Sequence, residues 1–163
     1  MSNEVEGKEK AKLKFASSRF GELEVPEESV ITFPSGMIGF PQVKKFVMID
    51  HKPPFSWLHS IEDPNLAFVV VNGFEFGEQY NLKPPYDDEK VEFKENDEYA
   101  ILVIVTVRPD PKLTTANLKA PIFVNASSKN AVQVIFDNPE YSTRFSLYGE
   151  ETAKEEAPEK KKD

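Results

Sequence analysis

Apolar positions recur along this chain mostly at every second residue, in short runs broken by glycine and proline. Between residues 55 and 60, Phe55, Trp57 and His59 alternate with Ser56, Leu58 and Ser60. Glu62-Asp63-Pro64 follows, and then the apolar run Leu66-Ala67-Phe68-Val69-Val70-Val71. Alternation, punctuation and a β-branched run predict a strand, a tight turn and a buried strand. Pro64 has a fixed φ and no N–H to donate, so the chain must leave any ladder there and turn. The single Trp lies in this unit. Indole has the largest apolar area to bury, which places Trp57 at the centre of the expected core.

The same pattern extends in both directions. Lys12 to Ala16, Phe20 to Val25 and Val30 to Phe33 read as strands, the last closed by Pro34-Ser35-Gly36. Met37-Ile38-Gly39-Phe40-Pro41 is an apolar loop between glycines and prolines, costly to expose unless something covers it. Gln42 to Phe46 suits a short helical turn before a strand over Phe46 to Ile49. Gly73 to Tyr80 alternates Phe74, Phe76 and Tyr80 with polar residues and predicts a short edge strand with one aromatic face. Residues 83–98 hold seven acids and two prolines, and read as a surface excursion. Ala100 to Val107 is a β-branched run, buried on both faces if the sheet curls. Thr115 to Leu118 and Pro121 to Asn125 read as a pair of short strands or one strand with a bulge, Ala131 to Phe136 pairs back as a hairpin, and Tyr141 to Phe145 follows a turn at Asp137-Asn138-Pro139. With no long 3.6-residue periodicity, the expected fold is all-β: a small antiparallel β-barrel-like domain with short turns and little helix.

Composition narrows the class. The 163 residues allow a single β domain over 12–148, with a flexible polar leader at 1–11 and a charged, disordered tail at 149–163. In that tail Glu150-Lys154 and Glu156-Lys160 have the spacing of helical ion pairs, which Pro158 and the short length oppose. Cysteine is absent, which excludes disulfides and thiolate metal sites. No signal-peptide or membrane-spanning run is present, so a cytoplasmic protein is expected. The net charge is −8, and residues 13–149 alone carry 19 acids against 13 bases. An acidic body argues against direct nucleic-acid binding, and serves either solubility or docking to a basic protein.

Candidate chemistry is sparse. The two histidines, His51 and His59, have no spacing that suits a metal, and no cofactor is expected. Glu62-Asp63 could act as a carboxylate pair, with His59 in a hydrolase, or could simply bond a turn. Ser35 and Ser60 lack a nucleophile elbow, and no phosphate loop occurs. Gly36-Met37-Ile38-Gly39 matches a Gly-x-x-Gly RNA loop in form but lacks basic residues. A binding module fits better than an enzyme, and a β-barrel holding a small ligand is the alternative.

Five motifs in order resemble the FliW family of bacterial flagellar assembly factors. They are Phe20-Gly21-Glu22-Leu23-Glu24-Val25, Ile31-Thr32-Phe33-Pro34-Ser35-Gly36-Met37-Ile38-Gly39-Phe40, and Trp57-Leu58-His59-Ser60-Ile61-Glu62-Asp63-Pro64-Asn65-Leu66-Ala67-Phe68. Thr115-Ala116-Asn117-Leu118-Lys119-Ala120-Pro121-Ile122 and Tyr141-Ser142-Thr143-Arg144 complete the set. The family often has Gln where His59 stands and Pro where Gly39 stands. The resemblance implies a non-catalytic protein that binds the translational repressor CsrA noncompetitively, relieving repression of flagellin translation, and that also binds flagellin. Surfaces expected to accept an amphipathic partner helix are Met37, Ile38 and Phe40 in the apolar loop, and Phe74, Phe76 and Tyr80 on the aromatic edge. Glu62, Asp63 and Arg144 are the polar members of the motifs.

Overall fold

The computed structural model describes residues 11–148; the tail and all but Ala11 of the leader lie outside them. The strands are β1 (Lys12–Ser17), β2 (Gly21–Pro26), β3 (Ile31–Thr32), β4 (Lys45–Asp50), β5 (Phe55–Ser60) and β6 (Ala67–Asn72). They continue as β7 (Tyr99–Thr106), β8 (Thr115–Ala116), β9 (Ile122–Asn125), β10 (Ala131–Gln133) and β11 (Phe145–Ser146). The described residues form no α-helix, only 3₁₀ turns at Glu27–Ser29, Gly73–Phe76, Glu78–Tyr80 and Pro111–Leu113. The fold is therefore all-β, and every strand pair is antiparallel.

The main sheet runs β10-β9-β7-β6-β5-β4-β3, with β8 also on β7 and β11 on β8. Its two ends meet at one bridge between Thr32 and Asn130, where the Thr32 N–H donates to the Lys129 carbonyl at 2.9 Å. β1 and β2 form a separate two-stranded sheet. Such a hairpin is marginal alone and must dock. It does so through its turn: the Ser18 N–H and hydroxyl both donate to the Pro64 carbonyl, at 2.9 and 3.1 Å.

Register sets the two cores. Opposed residues share a face, so the pairs Val70↔Ile104 and Val71↔Val103 point to opposite sides of the sheet. Leu58, Val70, Leu102, Ile122 and Val124 pack on one side with Phe33, Met37 and Phe46. Val71, Ile101, Val103, Val105 and Phe123 pack on the other beneath Tyr80, Leu82, Val91, Phe93 and Leu118. The β7 run is thus buried on both faces, as its lack of alternation implies. Each such side chain contributes roughly 1.5–3 kcal/mol of burial.

Several expectations change. Trp57 is only half-buried, while its neighbour Leu58 is fully buried. The Trp57 indole is covered only in part: Phe20 of the hairpin turn lies edge-on to it at 5.8 Å, the Arg19 guanidinium sits 4.5 Å above it, and His51, after β4, lies tilted against it at 5.3 Å. Gly73 to Tyr80 is two 3₁₀ turns and not an edge strand. Asn72 caps the first turn, Gly73 is pressed against Ile101 where no Cβ fits, and Gly77 at φ +80° redirects the chain. Residues 83–98 are a surface excursion only in part, because Val91 and Phe93 anchor it in the core. Residues 42–44 form no helical turn, since the Lys44 carbonyl accepts from Phe33 and the Lys44 N–H donates to Glu62.

Candidate functional site

An open groove lies between the 3₁₀ turns after β6 and the C-terminal segment. The Asn72 Oδ1 accepts the Phe74 N–H at 2.9 Å and starts the first turn. The second turn drives Tyr80 inward, where its hydroxyl donates to the Leu118 carbonyl at 2.7 Å. Burial pushes the Tyr80 phenol well above the ordinary tyrosine range, with the nearby Tyr141 adding to the shift. Opposite, the Leu118 N–H donates to the Ser142 carbonyl at 2.8 Å, Phe145 pairs with Ala116, and the Leu147 N–H donates to the Thr114 carbonyl at 3.1 Å. Two adjoining cavities of about 360 and 240 Å³ share Phe76, Gln79 and Phe145. Both are lined mainly by aromatic and aliphatic side chains.

The apolar loop is a second, separate feature, rooted in the opposite core. Met37 is 2% exposed and plugs that core, while Ile38 and Phe40 stand 49% and 39% exposed. Paired hydrogen bonds between Met37 and Phe40, at 3.3 and 2.8 Å, close the turn around Gly39 at φ +89°. The Gln133 side chain clamps it, accepting from the Ile38 N–H and donating to the Ala120 carbonyl, each at 3.1 Å. At Gly36, φ +75°, a Cβ would collide with the Pro41 backbone. Two exposed apolar side chains are thus held on a rigid turn.

The structure divides the residues singled out in the sequence among distinct places. Phe76 and Tyr80 meet in the groove, although Tyr80, at 2% exposure, serves as floor rather than surface. Phe74, 54% exposed, stacks at a tilt on Tyr99 6.1 Å away. Arg144 is exposed in the C-terminal wall, just before β11. Glu62 and Asp63 bond backbone: the Glu62 Oε1 accepts from the Lys44 and Lys45 N–H groups at 2.8 and 3.3 Å, and the Asp63 Oδ1 accepts from Asn65 at 3.0 Å. His59 is buried, with Nδ1 2.7 Å from the Ser60 carbonyl and Nε2 2.8 Å from the Ser17 hydroxyl. The carbonyl can only accept, so Nδ1 carries the proton and Nε2 accepts from Ser17. Both ring nitrogens are engaged, and neither faces a carboxylate. Sequence reasoning missed the C-terminal wall of Tyr141, Phe145, Leu147 and Tyr148; their clustering after Pro139 was the available signal.

The fold and site define an all-β domain whose candidate polar residues bond backbone and whose loop tip and groove carry apolar side chains. Residues 14–147 match the family described as FliW protein, and the chain belongs to the FliW family of flagellar assembly factors, which are not catalysts. It is 39% identical over 133 residues to the flagellar assembly factor FliW of Caldicellulosiruptor saccharolyticus, covering 79% of this chain and 86% of that protein. The corresponding factor of Geobacter sulfurreducens is 37% identical over 148 residues, covering 89% and 92%. A solved structure titled "Crystal structure of the flagellar assembly factor FliW" superposes with a TM-score of 0.74 at 31% identity, covering 84% of this chain and 98% of that one. No helix among the described residues is long and apolar enough to cross a membrane.

Proposed function

We propose that this protein is a cytoplasmic regulator that binds the repressor CsrA away from its RNA groove, relieving repression of flagellin translation, and that also binds flagellin. Membership of the FliW family over residues 14–147 is the observation that carries this reading. The rigid Ile38–Phe40 tip and the groove around Phe76 and Phe145 supply apolar docking surfaces of the kind helix-in-groove binding uses. Phe33, Met37 and Phe46 fill the Leu58 side of the sheet, which disfavours a small ligand held inside it.

Noncompetitive inhibition is a coupling between two sites on the repressor. The net charge of −8 contributes by repelling RNA phosphates when the acidic body docks beside a basic groove. One charge pair at ~10 Å in water is worth only ~0.4 kcal/mol before screening. Several together reach roughly 1–2 kcal/mol, about a tenfold loss of RNA affinity, and a shape change in the repressor supplies the rest. The test is titration of purified protein into a CsrA–RNA complex, with parallel binding to flagellin. RNA release that excess RNA does not overcome is expected, and binding to neither protein would overturn the reading.

A further inference from the structure

We infer that the groove between the 3₁₀ turns and the C-terminal segment selects a cationic amphipathic segment of a partner protein, reading its basic side chains with Glu75 and Glu140. This rests on the reading of the protein as an interaction factor and goes further, to what one of its surfaces recognises. The two cavities adjoin, sharing Phe76, Gln79 and Phe145, and each has one carboxylate in its lining: Glu75 in the larger, Glu140 in the smaller. Both carboxylates are on exposed residues, and neither cavity is lined by a Lys or Arg among the described residues.

The charged side chains that line the cavities are thus both acidic, with Arg144 outside the lining, next to Phe145. Phe55, Phe76 and Phe145 line the larger cavity, so a basic side chain entering beside Glu75 meets aromatic rings as well as a carboxylate. Aromatic faces attract ammonium and guanidinium groups, and partial desolvation strengthens both attractions. The apolar remainder, including Val71, Leu147 and Leu118, takes the segment's hydrophobic face. The chain's own residues 150–163 carry six acids against four bases, and Ala153, Ala157 and Pro158 are all the apolar side chains they offer. Their charge is the wrong sign for this groove.

The test uses the full chain and an 18-residue acetylated and amidated Leu/Lys amphipathic peptide, with a Leu/Gln peptide of the same pattern as neutral control, followed by calorimetry at low and moderate salt. Binding by the Lys peptide is expected, with a loss of about fivefold for Glu75→Gln and again for Glu140→Gln. Glu22→Gln, on β2 and away from the groove, should change it less than twofold, and Phe145→Ala should weaken both peptides. Three outcomes overturn the inference: equal binding of the neutral peptide, equal losses for all three charge variants, or no binding. CsrA and flagellin titrated against the same variants separate this inference from the functional reading. If both still bind while Glu75→Gln and Glu140→Gln change nothing, the inference fails alone. If the peptide result holds and neither protein binds, the functional reading fails alone.

Discussion

Replacing Tyr80 with Phe removes one oxygen from the floor of the groove and tests how that wall is held. The phenol donates at 2.7 Å to the carbonyl of Leu118, itself a buried residue, so Tyr80→Phe leaves that acceptor without its partner. An unmet buried acceptor costs about 1–3 kcal/mol, which for a domain of this size lowers Tm by several degrees, roughly 3–10 °C. A second signature comes from pH. Burial raises the folded phenol, with Tyr141 adding to it, while the unfolded phenol titrates near 10. The raised group contributes stability fully below about pH 10 and loses it as pH climbs toward the folded value. By pH 11 ionisation of the unfolded phenol favours the unfolded state by about 1.4 kcal/mol, and Tyr80→Phe lacks this term. Urea unfolding at pH 8 and pH 11 on both proteins isolates it, because all other tyrosines and lysines titrate in both. The stability gap between them should narrow by about 1.4 kcal/mol. A gap unchanged by pH would show that the phenol ionises as freely folded as unfolded, and would refute the account of this wall.

Other expectations follow from single contacts. Ser17→Ala deprives His59 Nε2 and the Arg19 and Phe20 N–H groups of one shared hydroxyl; it should cost about 1–3 kcal/mol and speed amide exchange in β1 and β2 relative to β7. Uniform exchange changes across the sheet would contradict a hairpin docked through its turn. Gly36→Ala should destabilise by roughly 2–4 kcal/mol in thermal melts, since a positive φ and a collision with Pro41 act together. A loss under about 0.5 kcal/mol would mean that the loop relaxes freely. Ile38→Ser, at the more exposed of the two tip residues, should leave stability within about 1 kcal/mol yet weaken partner binding, measured by calorimetry; unchanged affinity would remove the tip from the docking surface.

Alternation along Lys12–Ser17, Lys45–Asp50 and Phe55–Ser60, and the unbroken run in Tyr99–Thr106, announced strands because a pleated chain turns successive side chains to opposite faces whatever surrounds it. Pro64 and the Gly36–Gly39 loop announced turns for equally local reasons. The ordered motifs sufficed for family membership, which residues 14–147 confirm. What a local pattern omits is the element that covers each face. Trp57 and Leu58 are both apolar and adjacent, yet only the packing of Phe33, Phe46 and Val70 put Leu58 in the core, while a hairpin turn covers Trp57 in part. The aromatic alternation of Phe74 and Phe76 imitated a strand because the cap at Asn72 and the pressure of Ile101 on Gly73 are invisible until β7 lies beside them. The groove was hidden for the same reason. Its two walls come from residues far apart in the chain, joined only when Ala116 pairs with Phe145 and Tyr80 reaches Leu118.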